Sequence, residues 1–114
     1  MKTARRVLVS TTVLLAGSSA LALQPPTLPS NTPYSMARRV LIATGYQPVA
    51  VQRPRCATGR EEICRAFAET EACRADAQAR CIFLWRREAA LVEVHTRGEN
   101  DMVVDGLRCR TGCE

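Results

Sequence analysis

CIFLWRREAALVEVHTRGENDMVVDGL, residues 81–107, is the stretch whose reading decides the fold. It opens on the apolar, β-prone run Cys81-Ile82-Phe83-Leu84-Trp85 and continues through Leu91-Val92-Glu93-Val94-His95-Thr96, in which apolar and polar side chains alternate. Met102-Val103-Val104-Asp105-Gly106-Leu107 resumes the pattern after the turn-forming Gly98-Glu99-Asn100-Asp101. A period of two puts successive side chains on opposite faces, so each segment covers a core with one face only. Two hairpins, and hence a three-stranded antiparallel meander, follow.

Upstream the period lengthens. Met36, Ala37, Val40, Leu41 and Thr44 recur at three-four spacing, which predicts a helix over 33–44, with Asn31 or Thr32 as cap, Pro33 in the first turn and Gly45 as the stop. Residues 46–51 are β-prone but carry Pro48, so they form an edge strand at best. Residues 60–71 (REEICRAFAETE) predict a second helix, capped by Thr58, with Glu61 and Glu62 in the first turn and Ile63, Cys64 and Phe67 on one face. The expected architecture is α+β, two short helices packed on one face of a three-stranded antiparallel sheet, stapled by disulfides and forming one small domain over 34–114.

The 114 residues leave room for one such domain. At the N-terminus, Lys2, Arg5 and Arg6 precede the apolar residues 7–16, then Gly17-Ser18-Ser19 and the small-x-small run Ala20-Leu21-Ala22. That is the grammar of a secretory signal peptide over 1–22, with cleavage after Ala22, or alternatively after Ala20. The apolar stretch is too short and too diluted by Ser and Thr to stay as an anchor, so no stable membrane anchor is expected after cleavage. Arg5-Arg6 also invites a twin-arginine reading, but a chain that needs disulfides suits export in the unfolded state. Residues 23–33 (LQPPTLPSNTP) hold four prolines and read as an extended, disordered leader.

The formal charge of +5 shrinks once residues 1–22 leave, because they contain three basic residues and no acid. Thirteen arginines then face eleven acids, a net charge of +2 that gives nucleic acid no special claim as a partner.

All six cysteines, Cys56, Cys64, Cys73, Cys81, Cys109 and Cys113, lie beyond the leader, and an even count behind a signal peptide predicts a disulfide framework. Fifteen pairings are open. One continuous helix over 73–81 would separate Cys73 and Cys81 by about 12 Å along its axis, whereas a bridge needs Cα atoms within about 7 Å. Either the helix breaks or these two are not partners. The favoured set breaks it, with Cys73–Cys81 clipping a loop over 74–80, Cys56–Cys64 pinning the second helix and Cys109–Cys113 closing a small C-terminal loop. The spacings lack the C-x2-C pairs of zinc sites, and Cys109-Arg110-Thr111-Gly112-Cys113 is C-x3-C rather than the redox C-x2-C.

No phosphate loop, G-x-S-x-G or H-E-x-x-H occurs. The single histidine, His95, reads as a solvent-facing strand residue with Glu93 on the same face, so no catalytic residue, metal or cofactor is expected. Phe83 and Trp85 share a strand face whose first use is core packing. An exposed Trp85 flanked by Arg86 and Arg87 is the candidate binding surface.

Ala37-Arg38-Arg39-Val40-Leu41-Ile42 leading to Gly45-Tyr46-Gln47-Pro48-Val49, then Cys73 and Cys81 running into the aromatic strand, then Thr96-Arg97-Gly98, resembles small exported bacterial proteins of unknown function. The resemblance spans about residues 37–107 and implies no activity, substrate or site; Cys56, Cys64, Cys109 and Cys113 are extra to it. The expected function is a periplasmic or secreted, non-enzymatic binding or structural module of the cell envelope, whose partner is an envelope or secreted protein or ligand. An inhibitor of a secreted enzyme, presenting Arg53-Pro54-Arg55 or residues 98–101, and a thiol–disulfide redox protein are the alternatives.

Overall fold

The structure, a computed structural model, describes residues 9–12 and 27–113. The positive head, most of the apolar stretch and both cleavage positions of the expected signal peptide lie outside the described residues. Two helices, α1 (Tyr34–Ala43) and α2 (Glu61–Ala66), accompany six strands: β1 (Gln47–Pro48), β2 (Arg55–Cys56), β3 (Thr70–Cys73), β4 (Cys81–Arg87), β5 (Ala90–Arg97) and β6 (Val103–Thr111). The order is β2-β3-β4-β5-β6, with β1 also on β4; all pairs are antiparallel except β2 with β3.

The meander of β4, β5 and β6 is present as the alternation requires. Phe83, Trp85, Val92, Val94 and Val104 turn inward and are fully buried, while Ile82, Glu93 and His95 turn to the other face. Helix α1 lays Tyr34, Ala37 and Leu41 on the inner face, and the Tyr34 ring stacks on Phe83 at 3.9 Å between centroids. Each apolar side chain of this size contributes roughly 1.5–3 kcal/mol on full burial.

Three short strands extend the expected three-stranded sheet. β5 occupies one edge of β4, and β3 and β1 share the other: β3 pairs with residues 81–83 and β1 with residues 85–86. Pro48 thus sits in a two-residue edge strand, where its missing N–H is tolerated. β2, α2 and β3 form a miniature parallel crossover, which Cys56–Cys64 ties together.

The second helix is shorter than expected, ending at Ala66 rather than at residue 71. Phe67 is extended, and Thr70 donates through its N–H and its Oγ1 to the Phe67 carbonyl at 3.0 and 2.7 Å, which turns the chain into β3. Tertiary demand overrides helix propensity here: Cys73 must stand directly opposite Cys81, with Cα atoms 4.1 Å apart. Residues 74–80 form the loop between them.

The expected caps are absent. Pro33 occupies the N-cap position of α1, because Asn31 and Thr32 pair with β6 instead: the Asn31 N–H donates to the Val104 carbonyl at 2.9 Å, and the Val104 N–H to the Thr32 carbonyl at 2.8 Å. The end of the proline-rich stretch therefore runs along the sheet edge. Arg60, not Thr58, caps α2, without a side-chain cap bond. No helix among the described residues is long and apolar enough to cross a membrane.

Candidate functional site

Trp85 is not at the surface. β4 carries it on the inner face at 0% exposure, while Arg86 points outward and Arg87 lies over the Tyr46 ring at 5.9 Å. The expected Trp85, Arg86 and Arg87 surface is therefore divided between the core and two unconnected positions. Both faces of β4 are apolar over residues 82–85, so alternation alone does not say which face the core takes.

Inside, Trp85 begins a chain of polar contacts. Its Nε1 donates to Tyr34 Oη at 3.2 Å, Tyr34 donates to Glu69 Oε1 at 2.7 Å, and Arg38 Nε donates to the same oxygen at 2.7 Å. The Arg38 guanidinium lies 5.0 Å from the Phe67 ring centre and 5.8 Å from that of Trp85. Burial, reinforced by the charge of Glu69, pushes the Tyr34 hydroxyl far above the ordinary tyrosine range, so it remains a donor. Glu69 is fully buried; its Oε1 takes both hydrogen bonds and the ion pair with Arg38, which offset part of the desolvation cost, while its Oε2 has no hydrogen-bond partner among the described residues.

Tyr34 and Phe67 also line a cleft of about 510 Å³, which opens between the start of α1, α2 and the loop before β6. Ile63, Ala66 and Met102 add to its apolar lining, and Glu62 and Asp101 also line it. Its volume lies within the roughly 300–1,000 Å³ of ligand-holding clefts. The Tyr34 N–H, one of the helix's orphan donors, is already taken by the Met102 carbonyl at 3.0 Å, which fixes the loop against α1.

The opposite face of the sheet carries a charge lattice. Arg110 of β6 reaches across β5 and β4 to Glu71 of β3, donating from both terminal nitrogens at 2.7 and 2.8 Å, and its Nε donates to Glu93 at 2.7 Å. Glu93 Oε1 shares a 2.8 Å hydrogen bond with His95 Nε2. The hydrogen bonds from Arg110 hold the Glu71 carboxyl below the ordinary range. At Glu93 partial burial pushes the carboxyl up, but the hydrogen bonds from Arg110 and His95 outweigh it and the group also ends low. Arg110 is raised in turn, chiefly by its bonds to Glu71 and Glu93. His95 is half-buried within this lattice rather than facing solvent freely.

The cysteines pair as Cys56–Cys64, Cys73–Cys81 and Cys109–Cys113, so none remains as a thiolate. That is the state a non-reducing environment sustains. Residues 53–55 are exposed, at the end of the β1–β2 connection and the first residue of β2, and residues 98–101 form the turn beside the cleft. Comparison with known proteins returns no matching family model, no matching curated protein and no matching solved structure.

Proposed function

We propose that the protein is an exported, non-enzymatic binding module that receives an apolar segment of an envelope or secreted protein, flanked by basic residues, in the cleft between α1 and α2. The observation that carries this reading is the cleft itself: a lining that includes the apolar Tyr34, Ile63, Phe67 and Met102 together with two acids, Glu62 and Asp101. Two of its lining residues are held from behind: Tyr34 by its hydrogen bonds to Glu69 and from Trp85, and Phe67 by the Arg38 guanidinium over its ring, so these two need little ordering on binding. The signal grammar of residues 1–22 supplies the route to the periplasm or medium, and the three bridges suit that destination. No nucleic acid and no retained membrane anchor enter the reading.

A photoreactive side chain at position 102 of the exported protein, irradiated in the compartment fraction of its source cells, tests this. A discrete adduct from position 102 that is missing from position 86 is expected. Equal adducts from both positions, or none from 102, would contradict it.

A further inference from the structure

On the sheet face away from the helices, a second cavity of about 220 Å³ is lined by Ala72, Arg74, Arg80, Ile82, His95 and Arg108. No acidic side chain among the described residues lines it. It adjoins a shallower hollow that shares Ala72, Arg74 and Ile82 and adds Arg55, again without an acid. This concentration of guanidinium groups stands out in a mature chain whose arginines barely outnumber its acids.

The fold builds this arrangement from three places. Ala72 and Ile82 are cross-strand partners on β3 and β4 and give the cavity an apolar floor. Arg74 and Arg80 stand at the two ends of the loop closed by Cys73–Cys81, facing each other across a bond from the Arg74 N–H to the Arg80 carbonyl at 2.8 Å. Arg108 comes from β6, where it pairs in register with Glu93.

The acids that temper these charges sit outside the cavity. Asp76 holds Arg74 Nε at 3.1 Å, Asp105 lies 3.6 Å from Arg80 Nη2, and Gln78 takes the Arg80 Nε–H at 2.6 Å. Glu93 is engaged by Arg110 and His95. The Arg108 side chain has no ion-pair or hydrogen-bond partner among the described residues, which leaves its planar fork of donors free.

We infer that this cavity is a binding site for a small organic oxyanion, a phosphate or carboxylate head on a short apolar body. The head is gripped by Arg108 with Arg74 and Arg80, and the body lies on Ile82 and Ala72. Arg binds such groups through paired, charge-assisted hydrogen bonds, and an apolar floor favours an anion with a body over a bare one. The volume, below that of most drug-sized sites, limits the body to a small one. This site is independent of the helix-side cleft, so either assignment stands or falls alone.

Phenyl phosphate, benzoate and inorganic phosphate, titrated into the disulfide-bonded protein with nuclear magnetic resonance detection of the Ile82 methyls and the His95 ring, test the inference. Saturable shifts of both groups are expected with phenyl phosphate and benzoate, and weaker ones with inorganic phosphate. Arg108→Met should weaken phenyl phosphate binding at least about tenfold. Arg86→Met, an outward arginine beyond the cavity, should leave binding unchanged. Both substitutions are at exposed side chains, so folding is retained and is checked by circular dichroism. Absence of saturation, equal loss in both variants, or binding to vesicles of anionic lipid that leaves Ile82 unshifted would overturn the assignment.

Discussion

Tyr34 Oη donates a 2.7 Å hydrogen bond to Glu69 Oε1 inside the core, joining the first turn of α1 to the residue just before β3. The same hydroxyl accepts from Trp85 at 3.2 Å, so one phenol satisfies a donor and an acceptor that are both buried. Tyr34→Phe therefore strands the Trp85 N–H and takes one donor from a buried carboxylate. The expected cost is about 2 kcal/mol of unfolding free energy, read from urea denaturation followed by Trp85 fluorescence. A loss below about 0.5 kcal/mol would mean that the chain of contacts is incidental.

Trp85 itself belongs to stability rather than to recognition. Trp85→Ala should cost about 3–5 kcal/mol, because a fully buried indole leaves a cavity, whereas Arg86→Ala on the outward face should stay within about 0.5 kcal/mol. Thermal unfolding of the two variants side by side checks this. Similar midpoints for both would place the indole at the surface after all.

Acid should weaken the fold through the Glu71, Arg110 and Glu93 lattice. Both carboxyls are held below their ordinary value of 4.5, so the folded state keeps them ionised while the unfolded chain takes up protons first. The stability they contribute is complete above that value and is lost as pH falls through their lower folded values. Arg110→Met removes the hydrogen bonds that depress Glu71 and Glu93, and should flatten the loss of stability between about pH 5 and pH 3. An unchanged slope in Arg110→Met would show that other carboxyls govern acid unfolding.

Gly112 stands between the bridged Cys109 and Cys113 at φ +71°, where a Cβ would run into the Ala89 carbonyl. That contact is with backbone and cannot relax cheaply. Gly112→Ala should shift the C-terminal loop and slow closure of Cys109–Cys113, leaving two free thiols in part of the refolded protein. Intact mass after alkylation without reduction measures it, and complete closure at the natural rate would refute the steric argument.

The readable part of the fold was the part made by local pattern. β4, β5 and β6 are long enough for period-two alternation, and α1 shows three-four spacing, so these four elements follow from their own residues. β1, β2 and β3, of two to four residues, exist only because distant segments pair with them. Residues 67–71 carry good helix formers, and only the opposition of Cys73 to Cys81 and the burial of Glu69 against Tyr34 and Arg38 turn them into a strand approach. The cleft was hidden for the same reason. Ile63 and Phe67 were legible as one apolar face, but Met102 and Asp101 reach them from a hairpin nearly forty residues away. No local signal marks that meeting, nor the convergence of Arg74, Arg80 and Arg108 around Ile82.

The central claim, recognition of an apolar, basic-flanked segment in the α1–α2 cleft, is tested most directly by selecting a displayed library of random peptides on the disulfide-bonded protein. Each enriched peptide is then titrated against the natural chain and against Met102→Asp, which puts a charge among the residues lining the cleft. The prediction is convergence on peptides that combine two or three apolar side chains with Lys or Arg, and a loss of affinity of about tenfold or more in Met102→Asp. Failure to enrich any motif, or enriched peptides that bind Met102→Asp as tightly as the natural chain, would contradict it.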